Sequence, residues 1–490
     1  MGVHPSDLLR RAAAAFAGND LPTADSLARA ALESRPSDVD AWRLLGRIRT
    51  RQSLWADADA AFDRAARLRP GDAEVAVGRG QLRLRQGRTS DAIALFEDAL
   101  GRRPDLTEAR LALADAWRRS GEISKARAAL GTPGIALGYL IAADCAIDEG
   151  DAAEAERLLR AGLDKQPEAT QRHYMHRRLG ELLERANRPG EAFAEYVAGK
   201  RATPASFDWH QFRSRFDRCR SFFQASQLER LPRASIRTRR PIFIASVPRS
   251  GTSLLARQIA AHPQGGDAGE TPALHEQVEA WSDPSAPSTS WPLCMRGFLA
   301  RDLDEVARAY LDRTAPFAPR GTERVADKHL WNWLYVGLIA VAFPEATIVH
   351  LHRDPIDTGL SCFERLQNSS MPWAATLEGV GEMLARSEVL MEHWRRLLPG
   401  RIVSVRYEDL VADPRSQLGA VLDAAGLPWS DDCLRHERLR ADAVMPAPTL
   451  SAEQVKRPLY RSAIGRADRF GSALDPLREA YGRTRAALGG

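Results

Sequence analysis

The stretch Pro241-Ile242-Phe243-Ile244-Ala245-Ser246-Val247-Pro248-Arg249-Ser250-Gly251-Thr252-Ser253-Leu254-Leu255 decides how the second half of this chain folds. Ile242 to Val247 is an apolar run of strand length, and Leu254-Leu255 opens a segment with helical spacing. Between them lies the polar loop Pro248-Arg249-Ser250-Gly251-Thr252-Ser253, where Gly251 lets the backbone turn. N–H groups of such a loop and of the helix start behind it face an anion, and hydroxyls at Ser250, Thr252 and Ser253 add donors. The loop reads as a phosphate cradle. A nucleoside triphosphatase would carry G-x-x-x-x-G-K-[ST], yet no glycine lies five before Gly251 and threonine holds the lysine position; G-x-G-x-x-G is missing too.

Further along, Thr347 to Leu351 and Ile402 to Val405 repeat the pattern of apolar run, polar loop and helix, so an α/β domain with a parallel sheet is expected from residue 241 onward. The second of these units reads Ile348-Val349-His350-Leu351-His352-Arg353-Asp354-Pro355, followed by a helix over Ile356 to Arg365. Arg353 at a strand end and Ser361, eight residues on, could grip one phosphate together. Alone, Arg353 would read as a surface ion pair with Asp354 or Asp357. Two anion sites in order, each after a strand, point instead to a nucleotide.

Upstream, Pro36, Pro70 and Pro104 lie 34 residues apart, as do Pro133 and Pro167. Trp42, Gly46, Ala58, Phe62 and Ala65 precede Pro70 in the register in which Gly80, Ala92, Phe96 and Ala99 precede Pro104. The register returns in Ala114, Trp117, Ala126 and Leu130, in Ala143, Ala155 and Leu159, and in Gly180, Ala192 and Tyr196. This is the tetratricopeptide pattern, about six helix pairs whose small residues permit close helix approach and whose stack makes a concave groove. The groove reads as a docking surface for a peptide or protein, the alternative being a spacer. Trp209, Phe212, Phe216, Phe222 and Phe223 are expected to pack as inter-domain core. The expected fold is α + α/β: an all-α tetratricopeptide solenoid over 1–203, a helical connector over 204–240 and a P-loop-like α/β domain over 241–490.

Composition bounds the function. At 490 residues the chain exceeds one compact core, and its 44% apolar and 27% charged content is that of an ordinary globular protein. A net charge of +5 tilts toward an anionic ligand but is too weak for a nucleic-acid footprint. Five cysteines without a C-x-x-C pair argue for a reducing compartment and against zinc. Met1 to Ala15 lacks an apolar signal region, and no apolar run approaches about 18 residues, so a cytoplasmic protein without a membrane span is expected.

In this setting the loop at 248–253 resembles the 5′-phosphosulfate-binding loop of sulfotransferases that use 3′-phosphoadenosine 5′-phosphosulfate (PAPS), and Arg353 and Ser361 match the 3′-phosphate site of that family. Further matches are Ala268-Gly269-Glu270-Thr271-Pro272, Val325-Ala326-Asp327-Lys328, Val405-Arg406-Tyr407-Glu408-Asp409-Leu410 and Ser451-Ala452-Glu453-Gln454-Val455. With the repeats, the chain resembles bacterial tetratricopeptide-repeat sulfotransferases, and the domain also resembles tyrosylprotein sulfotransferases.

The resemblance implies in-line transfer of a sulfuryl group from PAPS to an acceptor hydroxyl, leaving 3′-phosphoadenosine 5′-phosphate (PAP), with no metal. Glu270, eight residues after His262, matches the catalytic base. Lys328 matches the catalytic lysine, which with Arg249 would stabilise the bridging oxygen, and Ser451 matches an auxiliary serine. Tyr407 and Arg365 match cofactor contacts, and Arg466 falls where a lysine serves. Bland readings stand beside these: a helix-start carboxylate for Glu270, a solvated lysine paired with Asp327 for Lys328, a core aromatic for Tyr407, and surface charges for Arg365 and Arg466. His329, beside Lys328, is the rival base; His350 and His352 read as packing groups.

Two departures bear on the acceptor and the nucleotide. Gly465-Arg466 is followed by Ala467-Asp468 where the repeat-bearing relatives have Gly-Arg-Trp, and Asp327-Lys328-His329 replaces Asn-Lys-Asp-Pro. The acceptor therefore stays open among peptide tyrosine, carbohydrate, lipid and small-molecule hydroxyls. The repeats would dock the acceptor or a partner, and a homo-oligomer is compatible. Two other classes compete: a non-catalytic repeat scaffold with a nucleotide-binding domain, and phosphoryl transfer, which would need ATP and Mg²⁺.

Overall fold

In the computed structural model, which describes residues 4–18, 20–52, 54–283, 286, 288–437 and 459–489, the 34-residue period becomes a stack of helix hairpins. These are α1 (Pro5–Ala17) with α2 (Leu21–Ser34), α3 (Val39–Arg51) with α4 (Trp55–Leu68), α5 (Ala73–Arg85) with α6 (Thr89–Arg102), α7 (Thr107–Arg119) with α8 (Ile123–Leu130), α9 (Ala136–Glu149) with α10 (Ala152–Leu163), and α11 (Ala169–Arg185) with α12 (Pro189–Arg201). Asp38 and Asp72, two residues after Pro36 and Pro70, start α3 and α5 by accepting the N–H groups of Ala41 at 3.0 Å and Glu74 at 2.8 Å. Leu106 holds that place before α7 and makes no side-chain cap.

The repeated glycines have a steric reason. A Cβ on Gly46 would lie 2.8 Å from the Phe62 ring, one on Gly80 2.3 Å from Phe96, and one on Gly180 2.4 Å from Tyr196. In each case the ring sits sixteen residues after the glycine, on the second helix of the same hairpin. The aromatic side chain fills the volume that a side chain on the first helix would need.

These hairpins form one compact unit, Met1–Thr203; the second is Pro204–Gly490. Residues 204–240 pack into that second unit through α13 (Trp209–Phe222) and α14 (Ala225–Arg230). Phe212 lies 6.0 Å from the Trp331 ring, and Phe223 lies 5.1 Å from Trp394 and 5.9 Å from Trp291. These aromatics are core of the α/β unit.

That unit runs β1 (Pro241–Ile244), α15 (Thr252–Ala261), β2 (Gly265–Gly269), α16 (Ala273–Ala280), α17 (Ala300–Thr314), β3 (Arg324–Asp327), α18 (Asn332–Ala342), β4 (Thr347–His352), α19 (Pro355–Arg365), α20 (Leu377–Leu397), β5 (Ile402–Arg406), α21 (Tyr407–Ala412), α22 (Pro414–Ala425) and α23 (Asp475–Ala487). The sheet order is β2-β3-β1-β4-β5, with every neighbouring pair parallel. Ile242, Ile244, Val349, Leu351 and Val405 pack on one face against Leu255 and Ile259 of α15 and Leu418 and Leu422 of α22. On the other face Phe243 meets Tyr310 of α17 and Phe343, each at 5.2 Å. Helices thus cover both faces, as an all-parallel sheet requires. Strand β1 stops at Ile244, short of the expected Val247. Beyond it the Ser246 hydroxyl accepts the Leu351 N–H at 3.1 Å and donates to the Leu351 carbonyl, so a side chain takes over from the backbone ladder.

Candidate active site

Because all five strands run the same way, their carboxyl ends share one edge, where ligands of open α/β sheets bind. The described candidate residues gather there. The loop at 248–253 follows β1, Glu270 follows β2, Lys328 follows β3, Arg353 follows β4 with Ser361 and Arg365 on α19, and Tyr407 follows β5. Arg466 reaches the group from the later chain. Ser451 lies outside the described residues.

At the β2 and β3 ends, Lys328 Nζ donates to Glu270 Oε1 at 2.9 Å. The lysine side chain is 3% exposed and the glutamate 35%, so the pair presents its carboxylate to solvent and keeps its ammonium inside. Asp327 is not the lysine's hydrogen-bonding partner. Its carboxylate accepts the Tyr310 hydroxyl at 2.9 Å, the Asn332 amide at 3.0 Å and the His329 N–H at 2.8 Å, and burial pushes its pKa up to about 6. Those bonds fix the turn that carries Lys328.

At the β1 end, Gly251 holds φ +101° and a Cβ there would lie 2.5 Å from Tyr407 Cδ2. Only a bare α-carbon lets the loop pass over the tyrosine ring. Arg249 has φ +70°, the left-handed region that costs a residue with a Cβ. Its conformation is fixed from α19 and the β4 end: Arg249 Nε donates to Ser361 Oγ at 3.1 Å, and Arg353 Nη1 donates to the Arg249 carbonyl at 3.2 Å. The Arg353 guanidinium lies 5.0 Å from the Tyr407 ring centre, and its buried Nε has no hydrogen-bond partner among the described residues. Tyr407 is therefore both a core aromatic and the floor under Arg353.

The turn at Arg249 aims its side chain at Ser361, so it joins the arginine group. Burial, then the neighbouring Arg365 charge, pushes its pKa down to about 10. Arg365 Nε donates to Glu364 Oε1 at 3.1 Å, and Arg466 makes a two-point pair with the same fully buried carboxylate, one bond at 2.7 Å. Neither arginine is a free surface charge. Asp357 holds the chain around Arg466, accepting the Gly465 N–H at 2.7 Å and the Ala467 N–H at 2.8 Å. At Ala467 this backbone clamp sets the local geometry.

Asp357 and Glu364 were missed as site residues. Their signal was the spacing Arg353, Asp357, Ser361, Glu364, Arg365, a stripe at helical intervals in which the acids look like a solvated face. Four guanidinium groups collect around these two carboxylates, with an unpartnered N–H on Arg353 and a glycine cradle beside it. Such an arrangement is suited to a polyanion carrying phosphate groups.

The histidines divide clearly. His262 donates its Nε2–H to the Pro428 carbonyl at 2.8 Å and accepts the Gln264 N–H at Nδ1, a structural role. His329 stacks on His275 at 5.3 Å, and burial, then the His275 and Lys328 charges, pushes its pKa down to about 3. Trp331 donates its N–H to His329 Nδ1 at 3.4 Å, which leaves the proton on Nε2. Burial pushes His350 to about 3 as well. Among the described residues no His, Cys, Asp and Glu cluster is arranged to hold a metal ion, and no helix is long and apolar enough to cross a membrane.

Residues 241–431 match the model of the sulfotransferase family, and residues 9–73 and 83–134 match models of the tetratricopeptide repeat. An uncharacterized protein of Aquifex aeolicus is 31% identical over 281 residues, 56% of this chain and 36% of that protein. A putative protein-tyrosine sulfotransferase of Caenorhabditis briggsae is 24% identical over 46% of this chain and 79% of its own length. Protein-tyrosine sulfotransferase A of Caenorhabditis elegans is 22% identical over 46% of this chain and 60% of its own length. The match thus spans about a third of the first relative and more than half of the other two. Among solved structures, the sulfotransferase domain from the curacin biosynthetic pathway aligns over 49% of this chain and 99% of that one, at 18% identity and a TM-score of 0.32.

Proposed function

We propose that this chain, in which tetratricopeptide repeats precede a sulfotransferase-family domain, moves a sulfuryl group from PAPS to an acceptor hydroxyl, with the repeats docking the acceptor or a partner. The observation that carries the reading is the Lys328–Glu270 pair at 2.9 Å on adjacent strand ends, on the same sheet edge as a glycine cradle and an arginine group. PAPS, when bound, supplies a sulfuryl group on a phosphate leaving group.

Glu270, partly open to solvent and paired with Lys328, takes the proton from the acceptor hydroxyl as its oxygen attacks sulfur. Lys328 offsets negative charge on the bridging oxygen as the S–O bond breaks. Arg249, Arg353, Ser361, Arg365, Tyr407 and Arg466 hold the nucleotide, with Ser250, Gly251, Thr252 and Ser253 around the 5′-phosphate. The acceptor hydroxyl belongs to a peptide tyrosine, a carbohydrate or a small molecule, and the named tyrosine sulfotransferases put tyrosine first among the acceptors to assay.

Binding of PAP to the purified chain, followed by calorimetry, tests the donor assignment. Arg353→Ala is expected to weaken it by about 1.5 to 3 kcal/mol, the worth of a charge-assisted contact. A wild-type chain that binds neither PAP nor PAPS would overturn the proposal. The base is tested separately. His329→Gln is expected to retain the transfer rate within about tenfold, because a neutral ring with its proton on Nε2 is a donor; loss of a general base costs about 10² to 10⁴. A loss in that larger range would return the base role to His329.

A further inference from the structure

In the repeat unit, α3, α5 and α7 each end in two arginines: Arg49 and Arg51, Arg83 and Arg85, Arg118 and Arg119. Cations in a last turn complement the helix dipole, so their presence alone implies no ligand. Their partners separate them into rows. Arg49 pairs with Asp25 of α2 at 2.9 Å, and Arg83, 34 residues on, pairs with Asp59 of α4 at 2.8 Å. That row ties each first helix to the preceding hairpin.

Arg51, Arg85 and Arg119, also 34 residues apart, form the other row. Arg85 is exposed and makes no ion pair with a carboxylate among the described residues. Its pKa is lowered by partial burial first and then by the charges of Arg51 and Arg119, its like-charged neighbours one repeat to either side. Arg51 donates to the Phe16 carbonyl at 3.4 Å, and its guanidinium and that of Arg47 lie 5.0 and 5.3 Å from the Phe16 ring centre. Arg119 keeps one carboxylate neighbour, Asp115, at 2.7 Å. Folding gathers a positive stripe whose middle member lacks a protein carboxylate.

We propose that Arg51, Arg85 and Arg119 dock an acidic, extended peptide segment. This deepens the docking role proposed for the repeats and does not depend on the donor chemistry. Successive packed helices stand roughly 8–10 Å apart, and a segment in extended polyproline II conformation advances roughly 9 Å per three-residue turn and returns every third side chain to one face, so carboxylates at every third position match the row. A continuous phosphate backbone fits less well, because a carboxylate, Asp115, stands within the row at 2.7 Å from Arg119. Alternating charge favours discrete carboxylates.

The probe is a fluorescent peptide with glutamate at every third position, titrated into the full chain at low salt and followed by anisotropy. The glutamine version is expected to bind about tenfold more weakly, and added salt to weaken the acidic peptide further. Arg85→Glu is expected to lose binding by about tenfold or more and Arg85→Gln by less, while Arg64→Glu, exposed on α4, leaves it unchanged. Equal binding of the two peptides, an equal loss in Arg64→Glu, or tighter binding of a single-stranded oligonucleotide than of the acidic peptide would overturn the proposal. PAP binding by the same samples is expected to be unaffected by the Arg85 variants. Its absence from the wild-type chain would count against the donor reading and leave the peptide result standing.

Discussion

Glu270→Gln is expected to slow sulfuryl transfer by about 10²- to 10⁴-fold while PAP affinity stays within about twofold, measured by single-turnover transfer from radiolabelled PAPS and by calorimetry. The amide keeps the shape of the carboxylate and removes its capacity to take a proton. Lys328→Ala is expected to lose a comparable factor for a different reason, the loss of a buried ammonium where charge develops on the leaving group. Because the two groups are paired at 2.9 Å, the double variant should lose far less than the product of the single losses. A slow step that responds to neither change, or PAP affinity that collapses in both, would remove this pair from the chemistry and return the domain to a binding role.

Gly251→Ala is expected to weaken PAP binding by about tenfold or more with little change in the melting of the repeat unit. A left-handed conformation costs a residue with a Cβ about 1 to 2 kcal/mol, and the new methyl would stand 2.5 Å from Tyr407 Cδ2. The loop or the ring must move. Since Tyr407 lies under the Arg353 guanidinium at 5.0 Å, a displaced ring also shifts the arginine that holds the Arg249 carbonyl. Truncation of Tyr407 in the Gly251→Ala background should recover part of the steric loss. If the single variant bound PAP like the parent, the loop would not be the phosphate cradle.

Much of this architecture was legible because it repeats or alternates. Proline and glycine returning every 34 residues announced the hairpins, and the glycine-to-ring spacing of sixteen explains why those positions resist larger residues. Strands β1, β4 and β5 showed as apolar runs. The other two did not. Strand β2 reads Gly265-Gly266-Asp267-Ala268-Gly269, with none of the branched residues that mark a strand. A Cβ on Gly265 would lie 1.8 Å from the Ile259 carbonyl oxygen and one on Gly266 2.3 Å from that of Phe317, so close backbone approach erased the usual signal. Strand β3 has four residues, Arg324–Asp327, two of them charged.

The site was legible where a side chain follows a strand and illegible where it acts through another side chain. Glu270 and Lys328 each stand out in the sequence, but their pairing does not, since it depends on β2 and β3 being neighbours. Asp357 and Glu364 looked like ordinary helix acids. Only the return of the later chain brings Gly465, Arg466 and Ala467 onto them.

Hanging each proposed reacting or binding group from a different strand end has an evolutionary consequence. Exposed positions of α16 and α17, between Glu270 and β3, can change in chemistry while Tyr310 and the sheet hold the turn at Asp327. A lineage could thus retarget what receives the group by redrafting surface excursions, generation after generation, without renegotiating the machinery that delivers it.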